Sequence, residues 1–296
     1  MIVRDTPSKA DLLFAVRGSI VPVIAPRVAF LVVLSVVTVA LHESWAMFPE
    51  IDAAGFTVFG IALSLFLGFR NNAAYDRWWE ARKLWGGLLA DLRSLAREVQ
   101  VFVPDEGLQR RLIRLSLAFI HLHRANLRRI EDDPQARALA PEFIDTPHPP
   151  CAALDRIAAE IGTAHRAGGI DGFGVLALQE RLGSVTTQQC GCERIATTPL
   201  PYVYSLLIYR TTYLYCLLLP LALVGPAGWL TPLFVGIVAY AFLGLAEVSE
   251  ELSHPFGTTP NALPLDAICR AAEISLAPHL GQPVPAPLQA KNFYLS

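Results

Sequence analysis

From Ala53 to Phe69 the chain carries no charged side chain, and charge starts directly at Arg70 with no proline or turn signal at the junction. An uncharged apolar run of this kind is expected to be helical in lipid, where every backbone N–H and C=O must be satisfied within the segment. The residues after it, "RNNAAYDRWWEARKLWGGLLADLRSLAREVQ", keep apolar side chains at helical spacing: Trp78, Leu84, Trp85, Leu88, Leu92 and Leu95. A single helix is therefore expected to leave a membrane and continue into water. Three more segments are apolar enough to cross a bilayer, for which about 20 residues are needed. They lie at about 28–48, flanked by Arg27 and interrupted by Glu43, at about 202–224, broken by Arg210, and at about 229–246. Pro220 is expected to bend the end of the third, and "VGPAGW" to turn tightly into the fourth.

Composition agrees. Of the 296 residues 53% are hydrophobic and 17% charged, against about 25% charged in a soluble domain, and mean hydropathy is +0.41. The net charge of −2 is uninformative about partners, and no domain-wide basic surface suggests nucleic acid. Cys151, Cys190, Cys192, Cys216 and Cys269 lack the even count of a disulfide framework and read as reduced thiols. The first residues mix charges of both signs without an apolar core, so no signal peptide is expected there.

Basic residues set the orientation. Residues 42–69 and 211–269 contain no Lys or Arg, whereas basic side chains precede the first segment and recur from Arg70 to Arg194. Both termini and residues of about 70–200 and 250–296 are then expected in the cytosol, with two short external loops, the first holding Glu43, Glu50 and Asp52. The cytosolic part reads as helices near 108–129, 151–166 and 174–196, with "DTPHPPC" (145–151) and "AGGIDGFG" (167–174) as connectors. No strand pattern or internal repeat persists, and the tail from Pro278 reads as extended. The fold class is an all-α membrane protein.

Two rows run side by side along 60–69. Gly60, Ser64 and Gly68 form a small-residue row, which lets helices approach closely in lipid. Ile61, Leu65 and Phe69 form the next. If several copies surrounded an axis, that bulky row would make a hydrophobic constriction, a known way to gate ions. The alternative is ordinary packing, with Trp78 and Trp79 at the membrane interface.

Three long motifs carry a family resemblance: "LGFRNNAAYDRWWEARKLWGGL" (67–88), "GCERIATTPLPYVYSLLIYRTTYL" (191–214) and "EELSHPFGTTPNALPLDAI" (250–268). Together they resemble the bestrophins in their bacterial form. The resemblance implies a homopentameric ion channel of the inner membrane, with four membrane helices per subunit, a large helical cytosolic region and no catalytic role. It also implies an apolar pore neck, carried over onto Ile61, Leu65 and Phe69, and a second cytosolic aperture near residues 175–178. Animal bestrophins follow their "NPFG" turn with acids that help bind calcium. Here the turn reads "HPFGTTPN" (254–261) and lacks that charge, so calcium gating is not expected.

An apolar neck cannot choose a sign of charge. Glu43, Glu50 and Asp52 on an outer side without Lys or Arg would favour cations if they face the mouth. Together with the resemblance, this makes a monovalent cation such as sodium the expected permeant ion, with chloride as the alternative. Arg210 is an intramembrane charge with Glu247 as its candidate partner, either structural or, in a rival reading, the coupling pair of a secondary transporter. His121 and His123 are two apart and so point from different helical faces; Cys190 and Cys192 share that spacing. Neither pair makes a metal site, and no cofactor motif is present. An intramembrane enzyme using either histidine is the remaining rival.

Overall fold

The computed structural model describes residues 1–3, 8–16, 18–45 and 53–296. Eleven α-helices are formed among them. These are α1 (Lys9–Phe14), α2 (Val21–Trp45), α3 (Ala53–Phe102), α4 (Glu106–Arg128), α5 (Pro134–Leu139), α6 (Pro141–Ile144), α7 (Pro149–Arg166), α8 (Gly172–Thr197), α9 (Tyr202–Ala227), α10 (Thr231–Ser253) and α11 (Leu265–Leu276). No strand occurs among the described residues; Ile2 and Lys291 each form only an isolated bridge with Tyr294. The chain divides into two compact units: Asp5–Trp78 with Pro199–His254, and Met1–Arg4 with Trp79–Thr198 and Pro255–Ser296.

The first unit holds the apolar helices. Three helical runs are long and apolar enough to cross a membrane: Val21–Trp45, Ala54–Phe102 and Tyr202–Ser253. The third consists of α9 and α10, which pack against one another, joined by a 3-10 turn at Gly228–Leu230. Pro220 lies inside α9, near its C-terminal end. The helix continues through Pro220 and Pro226 to Ala227, and Gly228, at φ 49°, makes the turn. Proline inside a helix is tolerated in lipid; across the turn the buried Thr231 hydroxyl donates to Leu223 O at 3.0 Å.

The core of this unit follows helical spacing. Leu63 and Leu67 of α3 meet Ile208, Cys216 and Leu219 of α9 and Val235, Ala239, Leu243 and Ala246 of α10. Tyr215 lies at the centre, its ring 5.5 Å from Phe59 and 5.3 Å from Phe242. Gly60 is required beside it, since a Cβ there would come within 2.7 Å of the Tyr215 hydroxyl oxygen. The small-residue row thus has two uses: Gly60 serves packing within the chain, whereas Gly68 meets nothing within 4 Å.

The second unit is a helical body with a conventional apolar core. Trp85, Leu88, Leu92 and Val99 of α3, Leu112, Phe119 and Ile120 of α4, Ile157 and Ile161 of α7, and Leu178 and Val185 of α8 are all buried. Helix starts are fixed by side chains that accept otherwise unsatisfied N–H groups. Asp105 accepts from Gly107 N at 2.7 Å, Asp133 from Ala136 N at 2.9 Å and Asp171 from Gly174 N at 2.7 Å. Asp171 starts α8 inside the stretch expected to be a loop. Arg181 ties α8 to α3 through Asp91 at 2.9 Å and Glu98 at 2.8 Å. The end of the tail is not free: Val3 N donates to Phe293 O at 2.8 Å and Leu295 N to Met1 O at 2.9 Å.

Candidate functional site

Helix α3 determines where the bulky row goes. Its spacing places Gly60, Leu63, Leu67, Arg70 and Ala74 on one side, and these are the buried positions of its first half. Leu67 is 0% exposed. The row on the opposite side of the helix remains outside: Ile61 is 64% exposed, Leu65 56% and Phe69 56%. An uninterrupted exposed apolar row is costly in water and needs lipid or another copy against it. The row then changes character. Asn72 and Asp76, next on the same face at spacings of three and four, are exposed and polar.

Arg70 follows the row immediately and is 4% exposed. Its Nη2 lies 2.6 Å from Glu250 Oε2, and its Nη1 donates to Ala246 O at 3.2 Å. A buried guanidinium is stable only with such partners. One residue therefore locks α3 to the last turns of α10. Arg77 repeats the attachment lower down, donating through Nε to Ser253 O at 2.8 Å.

The charges on the other apolar helices are arranged differently from expectation. Glu247 pairs with Arg27 of α2 at 3.1 Å and not with Arg210. Arg210 is exposed on α9 and forms no ion pair among the described residues. The side chains 27 and 247 were too far apart in sequence for spacing to reveal their contact. Glu43 is exposed and its carboxylate accepts from Trp229 Nε1 at 2.9 Å. Glu50 and Asp52 lie outside the described residues.

The histidines have packing roles. His123 is fully buried, stacked on Trp85 at 5.5 Å and on Phe119 at 5.7 Å between ring centroids. Burial, with a smaller contribution from His148, pushes its pKa down to about 3, so it is neutral at physiological pH. His121 Nε2 sits 2.9 Å from Glu273 Oε1, and that bond holds Glu273 below the usual carboxylate range. Cys192 and Cys269 are buried, and burial pushes the Cys269 thiol up to about 12. No group of three or more His, Cys, Asp or Glu suited to a metal occurs among the described residues. In the turn at 254–261, Phe256 is buried and Pro255 O accepts from Leu263 N at 2.8 Å. In the 175–178 window, Leu178 is buried and Leu176 is 57% exposed.

Comparison with known proteins agrees with this architecture. The family model for the bacterial/fungal bestrophin protein matches residues 1–278. A voltage-dependent anion channel-forming protein of Mesorhizobium japonicum is 45% identical over 305 residues, spanning 100% of this chain and 97% of that protein. One of Escherichia coli is 38% identical over 286 residues, with 93% of each covered. Among solved structures, a bacterial bestrophin homologue from Klebsiella pneumoniae superposes with a TM-score of 0.82 at 35% identity, covering 88% of this chain and 99% of that one. The three sequence motifs, the helical architecture and these matches agree: the chain belongs to the bacterial and fungal bestrophin family.

Proposed function

We propose that this protein is an ion channel, and not an enzyme, in which several copies turn the Ile61–Leu65–Phe69 row of α3 toward a shared axis. The observation that carries this reading is the exposure of that row while the opposite side of the same helix is buried. Five copies, as the bestrophin resemblance implies, would stack three apolar rings along a narrow neck. Hydrophobic rings limit ion flow by excluding water. Four crossings per subunit would follow if α2, the first part of α3, α9 and α10 each span the bilayer. The packing of α9 against α10 supports counting Tyr202–Ser253 as two passes. The distribution of Lys and Arg supports an inner-membrane channel with both termini in the cytosol. Within the 175–178 window, Leu176 is the exposed bulky apolar side chain and the candidate for the second aperture.

The permeant species is a monovalent anion such as chloride. The expected preference for sodium finds no support among the curated relatives, whose names specify anion channels. The acids invoked for it are also weakened as an argument, since the Glu43 carboxylate is engaged by Trp229. Lipid and inorganic ions are then the partners, with no nucleic acid. A transporter that couples through Arg210 and Glu247 loses its pair to Arg27.

Planar-bilayer recordings of the purified protein test the reading. Replacing Ile61, Leu65 and Phe69 together by Ala should raise unitary conductance about twofold or more, because wider, less greasy rings hold water. Unchanged currents from a correctly assembled triple variant would overturn the pore assignment. Reversal potentials under a chloride gradient decide the sign of the permeant charge.

A further inference from the structure

The row that forms the neck continues past it, and its next members are not apolar. Helical spacing carries the face from Phe69 to Asn72 and then to Asp76, both exposed. At 1.5 Å per residue, Asn72 lies about 5 Å and Asp76 about 10 Å beyond Phe69 along the helix. Arg70, the nearest charge in sequence, is buried on the other side against Glu250. Arg77 is turned to Ser253 O. Asp76 is thus the first ionisable side chain on the face itself, and it forms no ion pair among the described residues.

Resting on the pore reading above, we infer that Asp76 is a specificity-determining residue: repeated in each copy, it places a ring of carboxylates just inside the neck that disfavours anions relative to cations. The inference concerns how strongly the pore discriminates, and holds whichever sign predominates. Apolar rings contribute no fixed charge, so the nearest charged ring governs the local potential. Several carboxylates within about one Debye length of the narrowest point, next to low-dielectric walls, act together on a passing ion. In an anion-conducting pore the ring lowers anion occupancy below the neck and so limits throughput. The competing account is a solvated acid on an exposed helix face, without influence on permeation.

The test is reversal potential in planar bilayers holding the full-length, assembled protein under a sodium chloride gradient. Asp76→Asn should raise the chloride-to-sodium permeability ratio about threefold at 0.1 M salt, and Asp76→Glu should leave it at the wild-type value. The difference between wild type and Asp76→Asn should fade at 1 M salt, where the Debye length is about 3 Å. Should Asp76→Asn fail to assemble, Asp76→Ser supplies the same neutralisation. A conducting neutral variant with the wild-type ratio at 0.1 M salt overturns the inference, as does a ratio that changes equally at both salt concentrations. Unchanged currents from the assembled Ile61/Leu65/Phe69 triple variant would instead count against the pore itself, so the two failures are distinguishable.

Discussion

The two halves of α3 follow opposite rules within one continuous helix. In residues 54–78 the exposed side chains include Val58, Ile61, Leu65, Phe66 and Phe69, while the buried set includes Arg70. In residues 79–102 the large buried side chains are Trp85, Leu88, Leu92, Leu95 and Val99, with Asp91 as the one buried charge, paired with Arg181, while Arg82, Lys83, Arg93 and Arg97 are outside. The second half is an ordinary amphipathic helix stabilised by removing apolar surface from water. In the first half that driving force is absent, since lipid tails are as apolar as leucine. Close packing at Gly60 and polar contacts at Arg70 hold it instead, which leaves its large apolar side chains available for another purpose. Burial in this molecule therefore reports stability in one half and contact chemistry in the other.

The contrast is open to direct test. The largest effect is expected from Trp85→Ala, which empties the buried core of the second half and should cost about 3–5 kcal/mol in chemical denaturation of the detergent-solubilised protein. The indole Nε1 has no hydrogen-bond partner among the described residues, so the loss comes from packing alone. An intermediate effect comes from its stacking neighbour. His123 stays neutral in the folded protein to a pH of about 3, whereas an unfolded histidine takes up a proton near pH 6.5. Below pH 6.5 the unfolded state therefore binds more protons and stability falls with acid. The contribution from this residue between pH 6.5 and 5 is about 2 kcal/mol, read from denaturation midpoints at the two pH values. His123→Phe should remove that part of the acid sensitivity; an unchanged profile would show that His123 is not buried neutral. The smallest effect is expected from Leu65→Ala in the first half, within about 0.5 kcal/mol in the same assay because the side chain is exposed in the subunit. A cost near that of Trp85→Ala would show that Leu65 is a packing residue and erase the contrast.

Much of this organisation is legible in the chain because helical periodicity is local. The apolar segments, the continuity of α3 through Arg70 and the helices expected near 108–129, 151–166 and 174–196 follow from spacing, whereas the first turns of α7 and α8 fall in stretches that read as connectors. Spacing also shows that Ile61, Leu65 and Phe69 share a face, but it does not say which face is buried. That depends on contacts from α9 and α10, far along the chain. The pairing of Arg27 with Glu247 was hidden for the same reason, and Arg210 looked like the partner only because it was the more conspicuous charge in a span. The short helices α5 and α6 were missed although Asp133–Pro134 and Pro141 are start signals, since each is too brief to show periodicity.

Arg70 grips two points one helical turn apart on α10, the Ala246 carbonyl and the Glu250 carboxylate. A planar fork held at two points resists both sliding and twisting, whereas an ammonium group would pivot about one of them. The azimuth of Phe69 is thus set by its buried neighbour Arg70, like a hand on a compass fixed by a pin beneath the dial. If the proposed row lines a passage, a side chain that faces away from it thereby sets its width.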